Sequence, residues 1–140
     1  MQDQISVDIT IPNQTKYLGL IGRISENLAH APIRFSGDRD ELAFHLNLVL
    51  TEAATNAICH GNEEDPHKQL RITIVISESC LTLKVFDEGC GFDIAAMANS
   101  EAKETDEEGR GIQLIYRLMD NVHYRRQEQS NVLEMTKYLR

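Results

Sequence analysis

The stretch Thr51-Glu52-Ala53-Ala54-Thr55-Asn56-Ala57-Ile58-Cys59-His60-Gly61 reads as the last turns of a helix whose faces differ in kind. At roughly 100° per residue, Glu52 and Asn56 lie one turn apart and about 40° from each other, with His60 a further 40° round. Ala53 and Ala57 sit beside this polar stripe and face the same way as Leu46 and Val49. The helix can therefore approach a sheet closely while its polar edge borders the core. Polar groups at such an edge are partly shielded from water. A carboxylate there can act as general base toward a hydroxyl, and a carboxamide oxygen can ligate a hard cation such as Mg²⁺. An exposed amphipathic face with an ordinary Glu and Asn is the other reading of the same residues.

Working outward, Asp38 with Glu41 three positions later resembles a capping box, and the apolar stripe Leu42, Leu46, Val49, Leu50, Ala53, Ala57 runs on to Gly61, a natural terminator. An earlier helix is expected from Thr15 to about Ala29, with Leu18, Ile21, Ile24 or Ser25, and Leu28 at helical spacing and Pro32 as its stop. Before it, Ile5, Val7, Ile9 and Ile11 alternate with polar residues up to Pro12-Asn13, which predicts a strand whose polar face suits a sheet edge. After a polar loop from Asn62 to Lys68, the alternating sets Leu70, Ile72, Ile74, Ile76 and Leu81, Leu83, Val85 flank Glu78-Ser79 and predict an antiparallel pair.

Periodicity fails from Ile94 to Glu108, which reads either as a loop over a site or as a solvated acidic connection. Ile112, Ile115, Leu118 and Met119 then form a helical stripe, and Val122 to Arg126 with Val132 to Tyr138 suggest a closing hairpin. The order β, α, α, β, β, α, β, β fits an α+β two-layer sandwich: helices on one face of a mostly antiparallel sheet, in one domain spanning 1–140.

Two glycine-rich turns complete the pattern. Asp87-Glu88-Gly89-Cys90-Gly91-Phe92-Asp93 begins at the end of an apolar strand. Its glycines let the backbone pass close to a flat ligand, and the Asp87 carboxylate can accept a hydrogen bond from an exocyclic amine such as that of adenine. A plain surface turn is the alternative. Glu108-Gly109-Arg110-Gly111-Ile112 leads into the next helix, where free N–H groups and the positive dipole end favour an anion and Arg110 adds charge. A flexible helix entry is the alternative there. Neither a GxxxxGK[ST] loop nor a GxGxxG turn is present. Taken in order, the three stretches are the parts needed to hold a nucleotide.

Bulk properties narrow the classes. With 14 Lys and Arg against 22 Asp and Glu, the net charge of −8 argues against gathering nucleic acid or anionic lipid by long-range attraction. Cys59, Cys80 and Cys90 are odd in number and widely spaced, which disfavours a disulfide framework or zinc site and fits a reducing cytoplasm. No signal peptide and no apolar run near the ~20 residues of a membrane span is visible.

The three motifs together resemble the GHKL ATPase superfamily, which includes gyrase and the histidine kinases, and within it the small bacterial anti-sigma-factor serine kinases. Glu52 to Gly61 matches the N box of that family, Asp87 to Asp93 its first glycine box, and Gly109-Arg110-Gly111-Ile112 with Leu118-Met119-Asp120 its second. The resemblance implies a Bergerat-type ATP-binding fold, with ATP and Mg²⁺ as cofactors. It implies Glu52 as base for the attacking hydroxyl and Asn56 on Mg²⁺. Asp87 would take the adenine amine, and Gly89, Gly91 and Phe92 would shape the adenine pocket. Gly109, Arg110, Gly111 and Ile112 would lie along the phosphates, and His60 would line the site, a satisfied buried histidine being its alternative. One departure is visible: where the family often has Gly-Thr before its last strand, this chain has Ser130-Asn131, which puts the threonine's support of the adenine contact in doubt.

By the same likeness the partners are an antagonist of STAS fold whose serine is phosphorylated, a competing sigma factor, and a second copy of the chain, arranged through the first strand. A nucleotide-gated binding module with little transfer activity is the alternative. A detached histidine-kinase catalytic domain is a third, weakened because His30, His45, His60, His67 and His123 all fall inside the domain rather than on an upstream dimerisation helix.

Overall fold

A computed structural model describes residues 4–88, 107–127 and 130–139, with backbone alone for 107–110. The chain opens with β1 (Ile5–Pro12) and a single 3₁₀ turn (Thr15–Tyr17), followed by helices α1 (Leu18–Ala29) and α2 (Arg39–Asn56) and a π turn (Ala57–Gly61). Then come β2 (Gln69–Ile76), β3 (Cys80–Asp87), α3 (Glu107–Leu118), β4 (Asn121–Gln127) and β5 (Ser130–Tyr138). Among the described residues the five strands form one sheet in the order β1-β2-β3-β5-β4, every neighbouring pair antiparallel. The fold is α+β, with β1 an edge strand as its alternation suggested.

Period-2 patterning decides which face is covered. Leu70, Ile72, Ile74 and Ile76 of β2, Leu81, Leu83 and Val85 of β3, and Leu133 and Met135 of β5 are at most 2% exposed and join one apolar cluster with Leu46, Val49, Leu50, Ala53, Ile112 and Ile115 of the helices. Fully burying each large aliphatic side chain contributes about 1.5–3 kcal/mol. Alanines along α2 let α1 and α3 pack beside it. The α2 start is capped as its sequence implied: Asp38 Oδ1 accepts the amides of Asp40 and Glu41 at 2.9 and 3.2 Å. Arg39 donates to the carbonyl of Ala29, which the end of α1 leaves open, and to those of Ala31 and Ile33 in the loop that follows.

The opposite sheet face carries charge rather than helices. Arg71 reaches Asp8 through two hydrogen bonds and lies over the Phe86 ring. Glu134 accepts from Arg125 at 2.8 Å with Lys84 at 3.6 Å. The Arg125 hydrogen bond holds the Glu134 carboxyl below its ordinary value against the opposing effect of burial, and the charges of Arg125 and Lys84 act in the same sense.

Two boundaries beside the site differ from expectation. The α-helix expected to reach Gly61 gives way after Asn56 to a π turn, in which the Asn62 amide bonds the Ala57 carbonyl five residues back at 2.7 Å. The third helix begins at Glu107, so Gly109, Arg110 and Gly111 lie inside its first turns rather than ahead of it. The rest of the acidic segment expected as a loop, from Ile94 to Asp106, lies outside the described residues. No described helix is long and apolar enough to cross a membrane.

Candidate functional site

Four chain segments meet at one end of the helical layer: the end of α2 with its π turn, the end of β3, the first turns of α3, and the start of β5. The sequence predicted the first three by their motifs, and touched the fourth only through the departure at Ser130-Asn131.

Asn56 is 4% exposed, so the polar stripe expected along α2 is a buried edge at this point rather than a solvated face. Its Nδ2 donates to the Glu52 carbonyl at 2.9 Å. Only the nitrogen side of the carboxamide can serve a carbonyl acceptor, so Oδ1 is turned away from the helix backbone. That orientation suits an oxygen ligand for a hard cation. Glu52, half-buried one turn earlier, directs its carboxylate onto α3: a Cβ built on Gly111 would overlap Glu52 Oε2. Glycine at 111 is what allows the carboxylate to lie against the first turns of that helix. His60, half-buried, is the penultimate residue of the π turn.

Asp87, at the end of β3, is 1% exposed. Burying a carboxylate is costly unless donors replace its water, and here two do. Asn131, opposite it in the β3–β5 register, donates Nδ2 to Oδ1 at 2.8 Å, and the Tyr124 hydroxyl of β4 donates to Oδ2 at 3.0 Å. Gly61 closes a third side: a Cβ there would come within 2.6 Å of Oδ2. The departure at Ser130-Asn131 thus leaves Asp87 supported, with an asparagine amide where the family often has a threonine hydroxyl.

Asn62 ties the turn to the strand. It is fully buried; its Nδ2 donates to Asn13 Oδ1 at 2.9 Å and to the Gln69 carbonyl at 3.3 Å, while its Oδ1 accepts the Glu88 amide at 2.6 Å. Asn13 in turn donates to the Asp65 carbonyl at 3.1 Å. One side chain therefore fixes where β1 ends, β2 starts and the chain leaves β3 toward the glycine box.

The structure brings together Glu52, Asn56, Asp87 and Gly111. Ile112 belongs to the core, its side chain fully buried, so any part it takes in the site falls to its backbone. Gly109 and Arg110 are placed in α3 by backbone alone, and Gly89, Gly91 and Phe92 lie outside the described residues. Sequence reasoning missed Asn62, read as the start of a polar loop, and Tyr124, read as an ordinary strand residue. Alternation of Val122, Tyr124 and Arg126 was a signal that Tyr124 points inward. A depression of about 230 Å³ lined by Thr10, Gln69, Arg71, Phe86, Glu88 and Ser130 lies near this end of the sheet, but mainly on its opposite face.

Comparison with known proteins shows the family. A family model described as a histidine kinase-like ATPase domain matches residues 11–137. A protein of Bacillus subtilis (strain 168) named serine-protein kinase RsbW is 32% identical over 142 aligned positions, covering 95% of this chain and 85% of that one. An anti-sigma F factor of Anoxybacillus flavithermus is 30% identical, with 71% of each chain covered. A further serine-protein kinase RsbW, from Bacillus cereus (strain G9842), is 27% identical over 95% of this chain and 84% of its own.

Proposed function

Because the chain belongs to the histidine kinase-like ATPase family, we propose that it is an ATP- and Mg²⁺-dependent serine/threonine protein kinase of the anti-sigma type. Its substrate is a serine on an antagonist protein of STAS fold, in a partner-switching circuit in the cytoplasm. The observation that carries this reading is the placement of the Glu52 carboxylate against Gly111 in the first turns of α3. A base directed at a helix N-terminus, where phosphate is favoured, is the arrangement phosphoryl transfer to a hydroxyl requires.

Asn56 and Asp87 fit the groups implied. The orientation of the Asn56 carboxamide offers oxygen to Mg²⁺, a cation that commonly takes few protein ligands and shares its shell with phosphates. Asp87, held by donors, is an acceptor for an exocyclic amine. When bound, ATP with Mg²⁺ supplies an activated γ-phosphoryl group with its charge partly neutralised.

Glu52 would take the proton of the substrate serine hydroxyl as that oxygen attacks, with the bound nucleotide giving up its terminal phosphoryl group and leaving as the diphosphate. The first turns of α3, with Gly109, Arg110 and Gly111, hold the phosphates. Gly89, Gly91 and Phe92 shape the adenine pocket, and His60 lines the site. A sigma factor competes with the antagonist, nucleotide state setting the relative affinities. A second copy pairs through the open edge of β1.

Incubation with radiolabelled ATP and candidate antagonists should label serine. Glu52→Gln should lower transfer by about 10²–10⁴-fold while ATP affinity changes little. The anti-sigma F factor names among the relatives favour a second reading, a nucleotide-gated binding module. Complex formation that depends on ATP, with no labelled serine and no effect of Glu52→Gln, would select it.

A further inference from the structure

Asp87 is the one buried carboxylate among the described residues, and it sits at the end of a strand rather than in an ion pair. Its two donors come from different strands. Asn131 lies directly across on β5; Tyr124 lies on β4, paired with Leu133 and separated from β3 by β5. Two strand spacings are roughly 9.6 Å. A tyrosine on one side and an aspartate on the other close that gap, and phenylalanine would match the length without the donor. Each Asp87 oxygen thus has one fixed donor, at 2.8 Å on Oδ1 and 3.0 Å on Oδ2, and retains capacity to accept another. Donors on both oxygens fix the plane of the carboxylate. Gly61 packs on its other side, where a side chain would displace it.

For stability alone this is an expensive construction, since an apolar group at the same place would need no donors. A carboxylate so held accepts and cannot donate. It matches a purine with an amine at position 6 and sets lone pair against lone pair for a purine with a carbonyl there.

We propose that Tyr124 and Asn131 are positioning residues that orient Asp87 and thereby determine selection of 6-amino over 6-oxo purine nucleotides. This rests on the nucleotide reading above, and deepens it by naming the residues that set base specificity. Neither need touch the nucleotide, because both act through the carboxylate.

The test compares dissociation constants for ATP and inosine triphosphate, identical in sugar and phosphates, using the full chain with Mg²⁺. The wild-type chain should prefer ATP. Tyr124→Phe should reduce the ATP-to-inosine-triphosphate preference by roughly tenfold, through weaker ATP binding, with inosine triphosphate unchanged or tighter. At position 131 the nearly isosteric pair Asn131→Thr and Asn131→Val separates positioning from packing. The threonine variant retains a hydroxyl donor and should keep most of the preference, and the valine variant should lose it. Equal weakening of both nucleotides by Tyr124→Phe, an unchanged preference, or identical behaviour of the threonine and valine variants would overturn the proposal. Thermal melts confirm that each compared variant is folded, and the 131 pair decides the matter if Tyr124→Phe is not. Failure of the wild-type chain to bind ATP would instead remove the nucleotide reading itself, a result visible before any variant is made.

Discussion

Gly61 packs directly against the Asp87 side chain, so closely that a Cβ on residue 61 would lie within 2.6 Å of Oδ2 and 2.7 Å of the Asp87 Cβ. The end of the π turn and the end of β3 are thus a matched pair. Gly61→Ala should displace the carboxylate from Tyr124 and Asn131. We expect a loss of about 1–3 kcal/mol in urea denaturation, the usual cost of overpacking a tight site. ATP affinity should fall further than this loss of fold stability explains, which titration under strongly folding conditions will show.

Asn62 holds three segments through one amide. Asn62→Asp keeps the shape but replaces the nitrogen that donates to Asn13 and Gln69 with an oxygen facing acceptors. The expected destabilisation is about 3 kcal/mol or more, since a charge is buried where donors are needed. Asn62→Ala should cost less, and hydrogen exchange at the Glu88 amide should accelerate in it, because its acceptor at 2.6 Å is lost.

The contact between Glu52 and Gly111 predicts a coupling between them. In the wild-type background Gly111→Ala moves the end of the flexible Glu52 side chain aside and should lower the transfer rate, the displacement offsetting part of alanine's helical gain. In a Glu52→Ala background the obstruction is gone, and alanine inside a helix should stabilise by roughly 0.5–1 kcal/mol relative to glycine. A double-mutant cycle measures the coupling directly. Additive effects would show that the two residues do not meet.

The outer sheet face gives a pH prediction. The folded-state pKa of Glu134 lies below its ordinary 4.5, chiefly through the Arg125 hydrogen bond. Its contribution to stability is therefore complete above that value and disappears as pH falls through the lower folded value. Arg125→Gln should raise the folded value and flatten the acid limb of the stability curve, measured by urea denaturation between about pH 6 and about pH 3. Because this face lies away from Asp87, ATP affinity at neutral pH should not change.

Much of the architecture was legible because hydrophobic period is a local property. Ile72, Ile74 and Ile76 had to share one sheet face, and Leu42, Leu46, Val49 and Leu50 one helix face, whatever they packed against. Asp38 as a cap and β1 as an edge strand followed from chemistry within a few residues. The start of α3 was misplaced because the glycines at 109 and 111 suggest a breaker; the sequence could not reveal that Gly111 makes room for Glu52 from another helix.

By itself, the sequence determined the order of elements, the buried face of each, and the three motifs from which Glu52, Asn56, Asp87 and Gly111 could be named. Their types and spacing are fixed along the chain. Only the tertiary structure decided that Asn56 is buried with its oxygen turned outward, and that Asn62 anchors the exit of β3. It alone showed that Tyr124 and Asn131 hold Asp87. The bonds from Glu88 to Asn62 and from Tyr124 and Asn131 to Asp87 join residues 26 to 44 positions apart, and a hydrogen bond across such separations depends on strand register and helix packing, which no local pattern encodes.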